Sequence, residues 1–281
     1  MQVFYNGQFM PAEQVSIGME DRGYQFADGI YEVVRVYNNR LFHLKPHMER
    51  LARSAAGIEL DLPWALDELA GAMRQLVDAN QPGDGYVYLQ ITRGVAPRNH
   101  PFPTQPEPVV TMYTKVLPRP TRNLEQGVAC VTVDDDRWLR CNIKSVSLLP
   151  NVLAKQKAAR AGVYEAIFVR DGRVTEGSSS NIFCVYGDTI QTHPANNLIL
   201  GGITRQALIR LVRQEGFRLL EEPFSVPGLL AADEAIVSST TSEVTPIVQV
   251  DGHPIGDGRP GRVTRALQAA FEAEIRRETG A

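Results

Sequence analysis

Two prolines one residue apart, in Val116-Leu117-Pro118-Arg119-Pro120, divide the chain. A proline has no amide hydrogen for a helix interior or an inner strand and fixes its own φ, so neither regular element runs through this point. The chain has 281 residues, close to the size at which one hydrophobic core gives way to two. The reading is therefore a small N-terminal domain over 1–115, a linker over 116–120 and a larger C-terminal domain over 121–281.

In the first part, Gly29–Tyr37 (GIYEVVRVY) is rich in β-branched and aromatic residues and stops at Asn38-Asn39, the pattern of a strand and a turn. Pro46 fits the first turn of a helix that runs through Glu49, Arg50, Leu51 and Ala55. Over Pro63–Asn80, Leu66, Leu69, Met73, Leu76 and Val77 recur on one helical face. Tyr86–Arg93 and Val109–Thr114 read as strands. In the second part a strand at Val128–Val133 precedes two hairpins, turning at Asp171-Gly172 and Gly187-Asp188. A helix opens near Thr204, with Ala207, Leu208, Leu211 and Val212 inward. Strands at Ala235–Ser239 and Ile247–Val250 and a helix over Val263–Arg277 follow. Both halves mix helix and strand, so the expected class is α+β, made of two α/β-type domains.

Hydrophobic residues make up 43% and charged residues 22%, an ordinary globular balance. The net charge is −3 and there is no lysine–arginine block, which argues against nucleic acid and anionic membrane as partners. No run approaches the ~18 apolar residues of a membrane helix. Met1-Gln2-Val3-Phe4-Tyr5 lacks the basic head and apolar run of a signal peptide. Cys130, Cys141 and Cys184 are odd in number and widely spaced, without zinc-ligand spacing. They read as buried free thiols in a reducing compartment, and the protein as cytoplasmic.

Four clusters hold residues capable of chemistry. Leu200-Gly201-Gly202-Ile203-Thr204-Arg205 runs into a helix whose free amides suit an anion, with Thr204 as N-cap or phosphate donor. Ser238-Ser239-Thr240-Thr241-Ser242 adds neutral donors after a strand. Val174-Thr175-Glu176-Gly177-Ser178-Ser179-Ser180-Asn181 sets a carboxylate beside three serines. Arg137-Trp138-Leu139-Arg140-Cys141-Asn142-Ile143-Lys144 puts Lys144 among apolar and cationic neighbours, conditions that favour a nucleophilic amine. Each cluster alone reads more readily as a capped helix, a polar turn, a solvated loop or a surface lysine.

Together with Glu20-Asp21-Arg22-Gly23-Tyr24-Gln25-Phe26-Ala27-Asp28-Gly29-Ile30-Tyr31-Glu32, these blocks stand in the order found in the class IV aminotransferases, which the chain resembles over essentially its whole length. The resemblance implies the fold type IV architecture and pyridoxal 5'-phosphate (PLP) as cofactor. Within the family the chain is most similar to the bacterial D-amino-acid transaminases.

By that resemblance, Lys144 holds PLP covalently and then acts as the acid–base group at the substrate Cα. Glu176 keeps the pyridine nitrogen protonated. Arg50 pairs with the phosphate, and Ile203, Thr204, Ser239 and Thr240 complete its cradle. Leu200 packs behind the cofactor and Ser179 lies near its ring. Tyr31 and Val33 share one face of their strand, with Glu32 on the other, and the resemblance turns the Tyr31 face toward the substrate. Arg98 and His100, reaching in from the partner subunit of a homodimer, join Tyr31 in binding the substrate α-carboxylate. The expected reaction moves the amino group of a D-amino acid, D-alanine first, to 2-oxoglutarate in two half-reactions at one site.

Rivals stay open. Branched-chain L-aminotransferases, (R)-selective amine transaminases and aminodeoxychorismate lyases share the fold, and the Arg98/His100 pair argues against the first two. A non-catalytic phosphate-binding protein would use Thr204 and Ser239 but leaves Lys144 and Glu176 without a task. One departure from the family pattern is Pro150-Asn151, where small, unconstrained residues are expected.

Overall fold

A computed structural model describes residues 1–281. The chain divides into two compact units. One is Met1–Pro118 with Ile143–Ser147 and Arg277–Ala281, and the other is Arg119–Asn142 with Leu148–Arg276.

The first unit carries strands β1 (Gln2–Tyr5), β2 (Gln8–Pro11), β3 (Gly29–Tyr37), β4 (Arg40–Leu41), β5 (Gly85–Thr92) and β6 (Val109–Val116). They form one antiparallel sheet in the order β2-β1-β6-β5-β3-β4. Its helices are α1 (Arg22–Phe26), α2 (Leu44–Gly57) and α3 (Leu66–Asn80). Alternation along the strands sorts the two faces. Ile30, Val34, Val87, Leu89, Ile91, Val110 and Met112 meet Met48 and Leu51 of α2 and Leu69, Met73, Leu76 and Val77 of α3 in one core. Each such side chain contributes about 1.5–3 kcal/mol on burial. The other face carries Tyr31, Tyr88 and Tyr113, whose rings stack in turn at 5.7 and 5.0 Å.

Two local features depart from the sequence reading. Helix α3 starts at Leu66, three residues later than expected, because Ala65 is still extended (ψ 152°) and Trp64 turns aside onto Phe4, ring centroids 5.7 Å apart. The β1–β2 hairpin turns at Asn6 and Gly7, with φ of 46° and 89°, the left-handed pair that a two-residue turn requires.

In the second unit the strands are β7 (Val128–Asp134), β8 (Glu165–Arg170), β9 (Arg173–Gly177), β10 (Asn181–Tyr186), β11 (Thr189–Thr192), β12 (Arg218–Glu221), β13 (Phe224–Ser225), β14 (Glu234–Ser239), β15 (Glu243–Val250) and β16 (His253–Pro254). Their order is β12-β11-β10-β14-β15-β7-β8-β9-β13, with β16 on β15. The helices are α4 (Thr121–Gln126), α5 (Leu149–Arg160), α6 (Ile203–Gln214), α7 (Val226–Leu230) and α8 (Arg262–Thr279). The parallel pairs β7/β8 and β11/β12 enclose α5 and α6 as crossovers. Asp171 and Gly172, with φ of 50° and 73°, make the β8–β9 turn as expected.

Pro150 stands in the first turn of α5, where its missing amide hydrogen costs nothing. Asn151 Nδ2 donates to Ser178 O at 2.8 Å. The departure thus begins a helix. In the linker, the Arg119 fork closes on both oxygens of Glu243 at 2.9 and 2.7 Å and on Glu272 at 2.5 Å. All three cysteines are free and buried. Burial pushes the thiols of Cys130 and Cys184 well up and that of Cys141 up to about 11. No helix is long and apolar enough to cross a membrane.

Candidate functional site

Lys144 lies on a short segment of the first unit held against β3. Tyr31 N donates to Lys144 O at 3.1 Å, Val146 N donates to Gly29 O at 3.0 Å, and Lys144 N donates to Ser54 Oγ of α2 at 3.1 Å. With its backbone fixed on both sides, the side chain places Nζ 4.1 Å from the centroid of the Tyr31 ring, a cation–π distance. The structure therefore brings Lys144 and Tyr31 together.

On the opposite face of β3, Glu32 is fully buried. Its two oxygens accept from Arg50 Nε and Nη2, each at 2.8 Å, and Oε2 lies 2.7 Å from His47 Nδ1. His47 and Arg50 are three residues apart on α2 and so share a face. Burial alone would raise the Glu32 pKa, but Arg50 and His47 outweigh it and hold the carboxyl well below its usual range. Burial in turn lowers the pKa of His47, with Glu32 opposing. Sequence reasoning gave Arg50 a phosphate and missed this carboxylate.

Tyr31 and Val33 are half-buried on the tyrosine face. Arg98 and His100 are exposed on the loop between β5 and β6. Within the chain both pack on Phe26, Arg98 with its guanidinium carbon 5.0 Å from the ring centroid and His100 at 5.5 Å between centroids.

In the second unit, Glu176 of β9 is 5% exposed. Oε1 accepts from Arg137 Nη1 at 2.5 Å, and Oε2 accepts from Leu200 N at 2.9 Å and Asn181 Nδ2 at 3.1 Å. Arg137 is itself gripped by Asp135, Nε to Oδ1 at 2.8 Å and Nη2 to Oδ2 at 2.9 Å. Burial drives the Glu176 pKa up to about 7, against the pull of Arg137. A folded-state pKa above the unfolded value means stability that is full below pH ~4.5 and lost as pH rises through about 7. Glu176→Gln is expected to remove this loss. The unfolding free energy of cofactor-free protein, from urea titrations between pH 5 and 8, should fall for the parent relative to the variant by roughly 1–3 kcal/mol in total; parallel pH curves would reject it.

Leu200, Ile203 and Thr204 gather at the start of α6. Gly202, not Thr204, is the N-cap, and no side chain caps the helix. Thr204 instead is buried in the first turn, so its N-cap reading is corrected. A Cβ on Gly202 would lie 2.2 Å from Asn181 Oδ1, a close approach that only glycine allows. Asn181 Nδ2 also donates to Leu200 O at 2.9 Å, and Asn181 faces Ser238 across the β10/β14 ladder. Ser239 ends β14 and its Oγ accepts from Ser242 N at 3.0 Å; Thr240 follows in the turn. Asn181 thus joins Glu176, Leu200, Gly202 and the Ser238 strand end. Ser179 belongs to a different arrangement. Ser178, Ser179 and Ser180 all donate to the buried Glu165, Ser179 at 3.3 Å and Ser180 at 3.0 Å. Ser178 and Ser180 are buried in this carboxylate cage, while Ser179 at its rim is exposed.

The residues that sequence reasoning missed are Glu32, His47, Asp135, Arg137, Glu165 and Asn181. A signal existed for some of them. An acid within an apolar strand, as in Ile30-Tyr31-Glu32-Val33-Val34 or Tyr164-Glu165-Ala166-Ile167, is buried and needs a partner.

The amino-transferase class IV family matches residues 29–250. The chain belongs to the class IV aminotransferases. This class IV aminotransferase is 47% identical over 279 residues to the D-alanine aminotransferase of Bacillus licheniformis, covering 99% of each chain. It is 50% identical over 274 residues to the D-alanine aminotransferase of Staphylococcus aureus, covering 97% of each. Among solved structures, the branched-chain amino acid aminotransferase of Escherichia coli superposes with a TM-score of 0.91 at 27% identity, over 99% of this chain and 94% of that one. The branched-chain aminotransferase of the archaeon Thermoproteus uzoniensis, solved with norvaline, gives 0.89 at 29% identity, over 100% and 95%. The fold type IV architecture and the α+β class follow.

Proposed function

We propose that the protein is a PLP-dependent D-amino-acid transaminase that takes D-alanine as donor and 2-oxoglutarate as acceptor. Near-half identity over 97–99% of the chain to two D-alanine aminotransferases carries the reading, against 27–29% for the branched-chain enzymes.

The donor set fits the cofactor. Glu176, buried and bonded on both oxygens, suits a protonated ring nitrogen. The uncapped start of α6 offers amides to a phosphate at Ile203 and Thr204. When bound, PLP supplies the electron sink that acidifies the substrate Cα–H and carries the amino group between the two half-reactions. Arg50, Ser239 and Thr240 would share the phosphate, while Leu200 and Ser179 would flank the ring. Lys144 would hold the cofactor and move the proton at Cα through Nζ. Tyr31, Arg98 and His100 would bind the substrate carboxylate, with Val33 beside the substrate side chain. Glu32 sets the task of Arg50: with two of its nitrogens spent on a carboxylate, the guanidinium is fixed in direction. Arg98 and His100 are exposed and pack on Phe26 in their own chain, and we take the substrate site to be completed by the partner subunit of a homodimer. A cytoplasmic location is part of the same reading.

Assays with D-alanine, L-leucine, a chiral amine and aminodeoxychorismate test it. D-alanine with 2-oxoglutarate is expected to give pyruvate and D-glutamate faster than any other arm by about two orders of magnitude. Preference for L-leucine or the amine, or pyruvate release from aminodeoxychorismate without an acceptor, would overturn the assignment.

A further inference from the structure

The carboxylate-binding pair Arg98 and His100 sits on a loop with almost no ladder of its own. Between β5 and β6 the backbone pairs only at the loop base, through the isolated bridges Asp21↔Val95 and Gly94↔Glu107. From Pro97 to Phe102 every residue is exposed. Such a segment samples many conformations unless something outside it fixes the main chain.

One side chain does so. Arg22, at the start of α1, is 3% exposed and spreads its guanidinium over three successive carbonyls. Nη1 donates to Asn99 O at 2.6 Å and to Pro101 O at 3.4 Å, and Nη2 donates to His100 O at 3.2 Å. The remaining nitrogen, Nε, donates to Asp28 Oδ2 at 2.8 Å. The same Asp28 oxygen accepts from Arg93 Nε at 2.9 Å. Arg93 is tied to Glu59 O and Ile58 O and lies 3.6 Å from the centroid of Phe102. Phe26, one turn along α1 from Arg22, has the Arg22 guanidinium 4.8 Å from its centroid and receives Arg98 and His100 as well. The base of α1 is equally constrained. Asp21 accepts from Gly23 N and Thr92 Oγ1, both at 2.8 Å, and a Cβ on Gly23 would lie 2.3 Å from Thr92 Cγ2. Arg22 therefore projects from a well-bonded base onto an exposed loop.

We propose that Arg22 is a positioning residue: it locks the Arg98–His100 loop in its carboxylate-binding geometry and so sets KM for amino-acid substrates without touching them. This rests on the reading of Arg98 and His100 given above. Only a planar fork with several donors can serve three carbonyls and a carboxylate together. Lysine keeps the charge beside Asp28 but is a single point donor, so Arg22→Lys separates the fork from the charge.

The test uses cofactor-loaded parent, Arg22→Lys, Arg22→Gln, Arg98→Ala and the Arg22→Lys/Arg98→Ala double variant. Arg22→Lys should raise KM for D-alanine tenfold or more and leave kcat within about threefold. Adding it to Arg98→Ala should raise KM by less than twofold, because its effect runs through the loop. Hydrogen exchange should quicken at least tenfold within residues 97–102 and stay unchanged in β3, β5 and β6. An unchanged KM, a fall confined to kcat, or additive effects in the double variant overturns the proposal. If the parent does not act on D-alanine, the substrate reading fails on its own, and the exchange measurement still decides whether Arg22 holds the loop. If Arg22→Gln does not fold, Arg22→Lys carries both arms.

Discussion

Lys144→Ala is expected to lower transamination by about 10⁴-fold or more and to abolish covalent attachment of the cofactor. The reason is geometric. The backbone of residue 144 is fixed against β3 and α2, and its amine stands 4.1 Å over the Tyr31 ring, beside a group expected to bind the substrate carboxylate. Another lysine, Lys155, gives its amine to Tyr164 O at 2.5 Å. Borohydride reduction of the PLP-loaded protein should label one peptide, the one holding Lys144, and the variant should take no label. Equal labelling of parent and variant would remove Lys144 from the mechanism and with it the account of the site.

The second large effect is on stability. Glu32→Ala deletes the carboxylate that binds Arg50 and His47 in the core of the first unit. Breaking one side of a buried ion pair typically costs about 3–5 kcal/mol, because the remaining charge keeps its desolvation penalty and loses its partner. Urea unfolding of cofactor-free protein at pH 7 should show a loss of that order, with Glu32→Gln losing less since its amide oxygen still accepts. If Arg50 oriented by Glu32 also holds a phosphate, added PLP should raise the midpoint of Glu32→Ala less than that of the parent. A loss under about 1 kcal/mol would mean that the triad is slack and does not orient Arg50.

Much of the element order was legible because the residues concerned depend on local rules. Asp171-Gly172 made its hairpin turn since the two left-handed positions need those residues. The stripe Leu69, Met73, Leu76 and Val77 was buried as its spacing requires. Asn6-Gly7 carried the same turn signal, yet β1 and β2 are only four residues each and offer too short a run to read as strands. Helix α5 escaped for a different reason. It buries only Ala154 and Ala158, a stripe of small residues without the large apolar period that marks a core helix. The family blocks pointed to Lys144, Glu176 and the α6 start, but not to what each residue grips. The bonds of Glu32 to α2, of Glu176 to Arg137, and of three serines to Glu165 join positions 13 to 39 residues apart. Pairings at such distances follow from the folded topology and not from spacing along the chain. The N-cap shows the same limit, since Gly202 holds that place because Asn181 comes too close for any side chain.

The hidden sulfurs have a practical side. With burial keeping all three protonated at neutral pH, maleimide and mild oxidants find little thiolate to attack. A cysteine introduced at exposed Asn99 would then be the one reactive handle on the chain, and a spectroscopic probe attached there would report on the Arg98–His100 tip without a cysteine-free background having to be built first.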